Sequence, residues 1–363
     1  MARVEEITLY LVKLPLSVPY HVSYRVYEDF DPILVEARDT DGRIAWGEGH
    51  ISPGYSDETV EGGWAFCRQL AVRMVGQTVA SAKAIAESGI AQSPVAATAL
   101  VTAMEMLDGN RHLVVQKDAA LPLLTPFHST RHEDFPAEVE ARVAEGFRTL
   151  KIKVGKNVES DIAKVRAVQK VARGKAMLRL DANRGFSCED GCRFASALDP
   201  EGIESFEQPC KSKDWEANAA VAKVSTVPVM LDESIYDLAD IERAGTMDGV
   251  GFVKLKVKKL GGIDRLAAGL KRIRELDMTP VLGDGVAADI GCWVEACVAR
   301  STIDNAGEFN GFLKPKTSLL MNPLEFKDGA LQLKSGYAPE MDRGLLKRHT
   351  LATERFARVT VGR

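Results

Sequence analysis

From about residue 119 the chain repeats one rhythm: a short run of aliphatic and β-branched residues, then an amphipathic stretch of helical length. The runs are "LPLLTPF", "RTLKIKVG", "AMLRLDAN", "GIESFEQP", "VPVMLDES", "GFVKLKVKK", "MTPVLGDG" and "NAGEFNGF". Eight strands spaced by helices predict a parallel (β/α) barrel, because parallel neighbours need a crossover and that crossover is usually a helix. The periodicity also admits an open doubly wound sheet. Against a nucleotide-binding version, no Gly-rich fingerprint follows any run, since "KKLGGID" has only paired glycines.

Before this, alternation over residues 4–14 and 33–46 predicts strands, "GEGHISPGYSDE" a turn-rich connection, and residues 57–74, 79–88 and 94–108 helices. Ser93 and Pro94 suit the cap and first turn of the last helix. That helix, "PVAATALVTAMEMLDG", is apolar on more than one face and is expected at a domain boundary. Past Leu320 the rhythm fades into "FKDGALQLKSGYAPEMDRGLLKRHT". The division is therefore an α+β unit over residues 1–118, a barrel over 119–319, and a tail, 320–363, that returns to the first unit.

With 363 residues the chain exceeds the size of one ordinary core, as two units require. Composition, 45% hydrophobic and 27% charged, is that of a globular protein, and a net charge of −4 with dispersed lysines and arginines leaves no nucleic-acid footprint. No apolar run reaches the roughly 18–20 residues of a membrane span. "MARVEEITLYLVKLPL" alternates and carries early acids, unlike a secretory signal, so a cytoplasmic address is expected. The six cysteines form no disulfide framework, and Cys188 with Cys192 lack partners for a zinc site.

Chemistry enters at the strand ends. Leu150, Ile152 and Val154 alternate with Lys151 and Lys153, so both ammonium groups point the same way. On an edge strand such a pair is ordinary, because edge lysines discourage aggregation. Here, however, the later runs end in Asp181, Glu207, Asp232, Lys254 with Lys256, Asp284 and Glu308, successive ends lying roughly 24 to 30 residues apart. Any one acid alone reads as a helix cap, but consecutive strand ends carrying charge converge on one barrel mouth. Asp181, Glu207 and Asp232 offer hard oxygen donors suited to Mg²⁺, without which they would repel one another. The lysine pairs, on strands two and six, flank them. A lysine that accepts a proton needs a lowered pKa, which a second ammonium and burial supply. Lys151 is thus expected to tune and position, and Lys153 to transfer the proton.

"LKIKVG", "LDAN", "EQP", "LDES" and a sixth-strand lysine five residues before "GG" together resemble the enolase superfamily, in particular its mandelate racemase/muconate lactonizing enzyme subgroup, over residues 147 to about 312. The resemblance implies a modified (β/α)7β TIM-type barrel under an α+β capping domain, Mg²⁺ on Asp181, Glu207 and Asp232, and Lys153 and Lys256 as the acid/base pair. Lys256 is preferred to Lys254 by its distance from Gly261 and Gly262. Cap loops at Val18 to Ser23 and His50 to Tyr55 would close over substrate. Supporting or substrate-binding roles fall to Lys151, Asn183, Glu233, Lys254, Asp284, Glu308, Tyr20, His50 and Tyr55. The reaction implied is removal of the proton α to a carboxylate through an enediolate, in a small-molecule substrate and a homo-oligomeric protein.

Asp284 and Glu308 are expected to accept hydrogen bonds from a cationic ammonium on the substrate; the alternative is that Asp284 caps the next helix and Glu308 bonds a catalytic lysine. "GDGVAADIGCWVEACVA" resembles members acting on proline-type amino acids, including cis-3-hydroxy-L-proline dehydratase, so dehydration is the first expectation. Racemisation or epimerisation of an amino acid, N-acylamino acid or dipeptide comes second, although "NAGEFNG" lacks the acid-x-acid motif of dipeptide epimerases, and muconate-type cycloisomerisation third. A lysine Schiff-base aldolase is the rival from another class.

Overall fold

The computed structural model describes residues 2–22 and 25–358. Ser23, the end of the first expected cap loop, lies outside them. The chain opens with β1 (Val4–Val12), β2 (Leu14–His21), β3 (Val26–Phe30), β4 (Ile33–Asp39) and β5 (Ile44–Gly49), then α1 (Val60–Met74), α2 (Val79–Glu87) and α3 (Pro94–Leu107). β2 and β3 form a separate antiparallel ribbon. The C-terminal strand, running Thr350–Ala357, pairs antiparallel with β1, which pairs in turn with β4, and β4 with β5.

Local chemistry sets the helix starts. Thr59 and Thr78 accept N–H bonds from Gly62 and Ser81, satisfying donors that the first turn leaves free. Ser93 precedes α3 as expected, but its hydroxyl does not cap. It donates to Glu58, whose carboxylate accepts the N–H groups of Val95 and Ala96 at 3.2 and 3.3 Å. α3 is buried on nearly every face because it lies between two layers. On one side β5 presses against it. A Cβ at Gly47 would strike the carbonyl of Ala99 and sit 2.8 Å from the Ala103 nitrogen, so only glycine admits this approach. On the other, Glu105 accepts the N–H groups of Ile263 (2.6 Å) and Asp264 (3.2 Å), placing a carboxylate at the start of a barrel helix.

After α3 come β6 (Ala119–Pro122), β7 (Thr125–Phe127), α4 (Phe135–Ala144), β8 (Thr149–Lys153), α5 (Val158–Ala172), β9 (Met177–Asp181), α6 (Cys188–Ser196) and β10 (Ile203–Glu207). The alternation continues through α7 (Trp215–Val224), β11 (Val229–Leu231), α8 (Leu238–Ala244), β12 (Val250–Leu255), α9 (Val257–Leu260), α10 (Ile263–Glu275), β13 (Thr279–Leu282) and α11 (Asp289–Ala299). Strands β7 to β13 form one parallel sheet in sequential order, and the charged residues stand at its C-terminal edge.

Two runs depart from expectation. "LPLLTPF" splits: β6 leaves the barrel to pair antiparallel with β15 (Ala330–Leu333), itself paired with β14 (Glu325–Lys327), and only β7 joins the parallel sheet. The eighth run, "NAGEFNGF", is no regular strand. Gly307 bridges Leu123, and the Glu308 N–H donates to Leu282 at 2.9 Å, so isolated bonds close the ring. Gly283, at φ 140°, explains the irregularity: its Cβ would collide with the backbone of Glu308 and Phe309. Arg179, wholly buried, ties the run to β9 through Ala306 O (2.8 Å) and Asn305 (3.1 Å). α12 (Arg343–His349) then leads into β16, the Thr350–Ala357 strand named above. Among the described residues no helix is long and apolar enough to cross a membrane.

Gly47→Ala should cost about 1–3 kcal/mol by overpacking β5 on α3, read as a thermal unfolding midpoint several degrees lower.

Candidate active site

The two lysines of β8 lie on an interior strand flanked by β7 and β9; Lys151 is shut off from water, whereas Lys153 keeps 35% of its side chain exposed. Lys151 is 3% exposed, and its ammonium reaches Asp181 at 2.8 Å and Glu207 and Glu308 at 3.0 Å. Burial works against this charge, yet the three carboxylates outweigh it and hold the pKa well above the ordinary lysine range. Lys151 thus stays an ammonium and serves as counter-ion to the three acids. Lys153, one step nearer the mouth, reaches Asp181 and Asn183 Oδ1, both at 2.6 Å.

Across the mouth, Lys256 Nζ donates to Asp232 at 2.9 Å and to the Tyr55 hydroxyl at 2.8 Å, 4.1 Å above the Tyr55 ring centroid. Burial opposes its charge, but Asp232, Asp284 and Glu233 hold the ammonium above its usual range. Between the flanks, Lys254 binds Glu207 at 3.2 Å, lies 3.7 Å from Asp232, and pairs closely with Glu308. Burial pushes Glu207 up, with Asp181 adding to it, whereas Lys256, Lys259 and Lys254 overcome burial and hold Asp232 well below the carboxylate range.

Lys258 and Lys259 were not anticipated. "KLKVKK" reads as a continuing strand, but the chain turns into α9 after Lys256, and that turn delivers Lys259 to Asp232 (2.9 Å) and Lys258 to Asp284 (2.7 Å). Four lysines within six residues beside a cluster of strand-end acids is the signal that marked them. Gln208 was also missed. Its side-chain oxygen accepts the N–H groups of Asp232 (3.0 Å) and Ser234 (3.1 Å), locking the loop that carries Asp232.

Other expected residues behave differently. Asp284 does not cap α11, whose first N–H groups go to Glu48, at 2.5 Å from Ala288 and 2.9 Å from Gly291. Because Asp284 is engaged by Lys258, and Glu308 by Lys151 and Lys254, neither stands open for a cationic substrate, contrary to the first expectation. His50 does not reach the mouth. It bonds Val286 O (2.5 Å) and Asp31 (3.0 Å), pinning the cap to the loop after β13. Tyr20 and Tyr55 do line the mouth, with Asn183. Glu233 lies beside Asn183 (3.3 Å) and Arg184 (3.5 Å); burial and then Asp232 push it up to about 7, and its Oε2 is buried with no hydrogen-bond partner among the described residues.

For a divalent cation, hard carboxylate oxygens on three successive strands and the orphaned Glu233 oxygen beside them suit Mg²⁺ chemically. As arranged, the carboxylates turn toward lysines, and among the described residues no three acids, histidines or cysteines are gathered as a ready ligand set. The space between the lysines encloses only about 50 Å³. Larger cavities adjoin it, about 550 Å³ beyond Tyr55 and about 330 Å³ beyond Tyr20.

The Enolase C-terminal domain-like family model matches residues 134–344, more than half the chain. The chain belongs to the enolase superfamily. Within it, the mandelate racemase/muconate lactonizing enzyme subgroup is the one its relatives share. N-succinyl-L-Arg/Lys racemase of Bacillus cereus is 25% identical over 320 residues, 82% of each chain. Aromatic dipeptide epimerase of Herpetosiphon aurantiacus is 28% identical over 344 residues, 91% of this chain and 94% of the other. The fold matches a Cytophaga hutchinsonii dipeptide epimerase complexed with Mg and D-Ala-L-Val, with a TM-score of 0.88 at 20% identity over 97% of this chain and 99% of that one. This protein is accordingly an enolase-superfamily enzyme of the isomerase or lyase class.

In this superfamily member the mouth depends on paired charge. Glu308→Gln, measured in EDTA, should cost about 3–5 kcal/mol by stripping two buried ammonium groups of a countercharge, seen as a lowered thermal midpoint. Asp304→Asn, at a side chain 84% exposed, should change it by less than about 0.5 kcal/mol.

Proposed function

We propose that this enzyme racemises or epimerises the α-carbon of an N-acylated amino acid or dipeptide. One observation carries the reading: Lys153, on the Asp181 side, and Lys256, on the Asp232 side, enter one enclosed space from opposite flanks of the carboxylate-bearing strands. Two amines so placed suit removal of a proton from one face and delivery to the other, leaving atoms and charge unchanged except for configuration. The relatives, racemases and epimerases of amino acid derivatives, favour this over dehydration of a proline-type amino acid.

Asp181, Glu207 and Asp232 would hold Mg²⁺, which supplies Lewis-acid stabilisation of the negative charge that builds on the substrate carboxylate. Asn183 orients Lys153, and the Tyr55 hydroxyl and ring orient Lys256. The neutral amine on one flank takes the α-proton while the ammonium on the other returns one; the reverse stereoisomer uses them in exchanged roles. Lys151 and Lys254 hold the carboxylates in place. The space between the lysines holds only about a water or two, so a substrate needs its lining, which includes Tyr20 and Tyr55, to rearrange.

With Mg²⁺ in D₂O, N-acylamino acids and dipeptides should incorporate α-deuterium, and EDTA should stop it. Lys153→Met and Lys256→Met should each lower exchange about 10²–10⁴-fold from opposite stereoisomers. Exchange at the wild-type rate in both variants would falsify the pairing.

A further inference from the structure

The turn after β9 is bent in a way its residues resist. Asn183 and Arg184 are both left-handed, at φ 42° and 69°, and of the two only asparagine visits that region readily. Packing imposes the bend: a Cβ at Gly185 would strike Gly155 O, so this turn is pressed against the one after β8, and the Arg184 N–H donates to Gln208 O at 2.9 Å. Backbone strain held in place by its surroundings clusters where a side chain has a task. Asn183 has one, since its Oδ1 accepts from Lys153.

Arg184 reaches from the same turn across to the cap. Its Nη2 donates to Gly54 O at 3.3 Å, and its Nε lies 3.5 Å from Glu233 Oε1, which also accepts from Asn183 Nδ2 at 3.3 Å. Gly54 is the exposed apex of the cap loop, and Tyr55 follows it. The N–H groups of Tyr55 and Ser56 both turn back to Ser52 O, at 2.9 and 3.2 Å, so the apex and the tyrosine belong to one compact turn. From that turn the Tyr55 hydroxyl donates to Asp232 at 3.1 Å and accepts from Lys256 at 2.8 Å. The cavity of about 550 Å³ beside Tyr55 is lined by Arg184 as well, which leaves the loop room to move once the guanidinium lets go.

Resting on the racemase or epimerase reading, we propose that Arg184 is a positioning residue for the Lys256 half of the reaction: by clamping Gly54 it keeps the Tyr55 hydroxyl on Lys256, while its neighbour Asn183 supports Lys153 on the other flank. One strained turn thus serves both amines, and Glu233, in contact with both side chains, ties the two supports together. The two flanks are separable in chemistry. Inversion needs both amines, whereas exchange that retains configuration needs only the one that took the proton.

The test follows α-deuterium and configuration together, with Mg²⁺ in D₂O, for each isomer of the N-acetyl, N-succinyl and alanyl derivatives of phenylalanine, valine and arginine. In Arg184→Met the ratio of inversion to configuration-retaining exchange, for the isomer whose proton Lys153 takes, should fall about tenfold. Tyr55→Phe should lower the same ratio, and the double variant should lose no more than the larger single loss, because residues acting through one another do not add. Arg184→Lys, which keeps a donor should the methionine variant not fold, should show the same pattern to a smaller degree. An unchanged ratio in both Arg184 variants, or losses that add in the double variant, overturns the assignment. Amide hydrogen exchange without substrate is read alongside, and Tyr55 and Ser56 should exchange several-fold faster in Arg184→Met than in wild type. If wild type labels no derivative, the reaction reading fails while faster amides still uphold the clamp; unchanged amides overturn the clamp whatever the chemistry.

Discussion

The constraint on which this structure turns is charge balance out of water. At the barrel mouth Asp181, Glu207, Asp232, Asp284 and Glu308 are met by Lys151, Lys153, Lys254, Lys256, Lys258 and Lys259, nearly all buried. An unpaired ion at such depth costs several kcal/mol, so each group is tolerated only while its opposite stays in place. The network therefore fixes positions more than it adds stability. It also explains why the carboxylates turn toward ammonium groups: lysines supply the positive charge that the cluster needs.

A network of this kind holds its shape only if the backbone that presents it cannot drift. Several carboxylates and amides outside the mouth serve that end by gripping N–H groups. Glu295, pushed up to about 8 by burial, joins the ends of β12 and β13 by accepting from Val257 at 2.9 Å and Asp284 at 2.8 Å. Gln208 does the same for the loop after β11, Glu48 links the cap to α11, and Glu105 links α3 to α10. Arg179 fixes the irregular eighth run from inside the barrel. Each is a buried polar group with backbone among its partners, which is how a barrel end keeps loops at fixed spacing.

With the protein's own charges so matched, the functional groups separate by location. Lys153 and Lys256 line the space from its two flanks, and Lys151 and Lys254, which line it too, are each bound to Glu207 and Glu308. Lys314 sits beyond Tyr20, donating to Gly285 O and Asn310 Oδ1.

The order of hydrophobic runs determined the parallel architecture, since side-chain period and crossover length are properties of the chain alone, and strand-end position determined which acids and lysines share a mouth. Pairing remained for the fold to decide. Alternation placed Lys151 and Lys153 on one face, but which acids meet Lys151 depended on Glu207 and Glu308, far away in sequence. His50 looked like a mouth residue by its place in the loop, and its ring turned to Asp31 and Val286 because the cap packs there. The turn into α9 that recruits Lys258 and Lys259, the split of the first run, and the broken eighth run are likewise decisions of packing. Local sequence fixes direction and period, while the choice among counter-ions is made by distances between segments that only folding brings together.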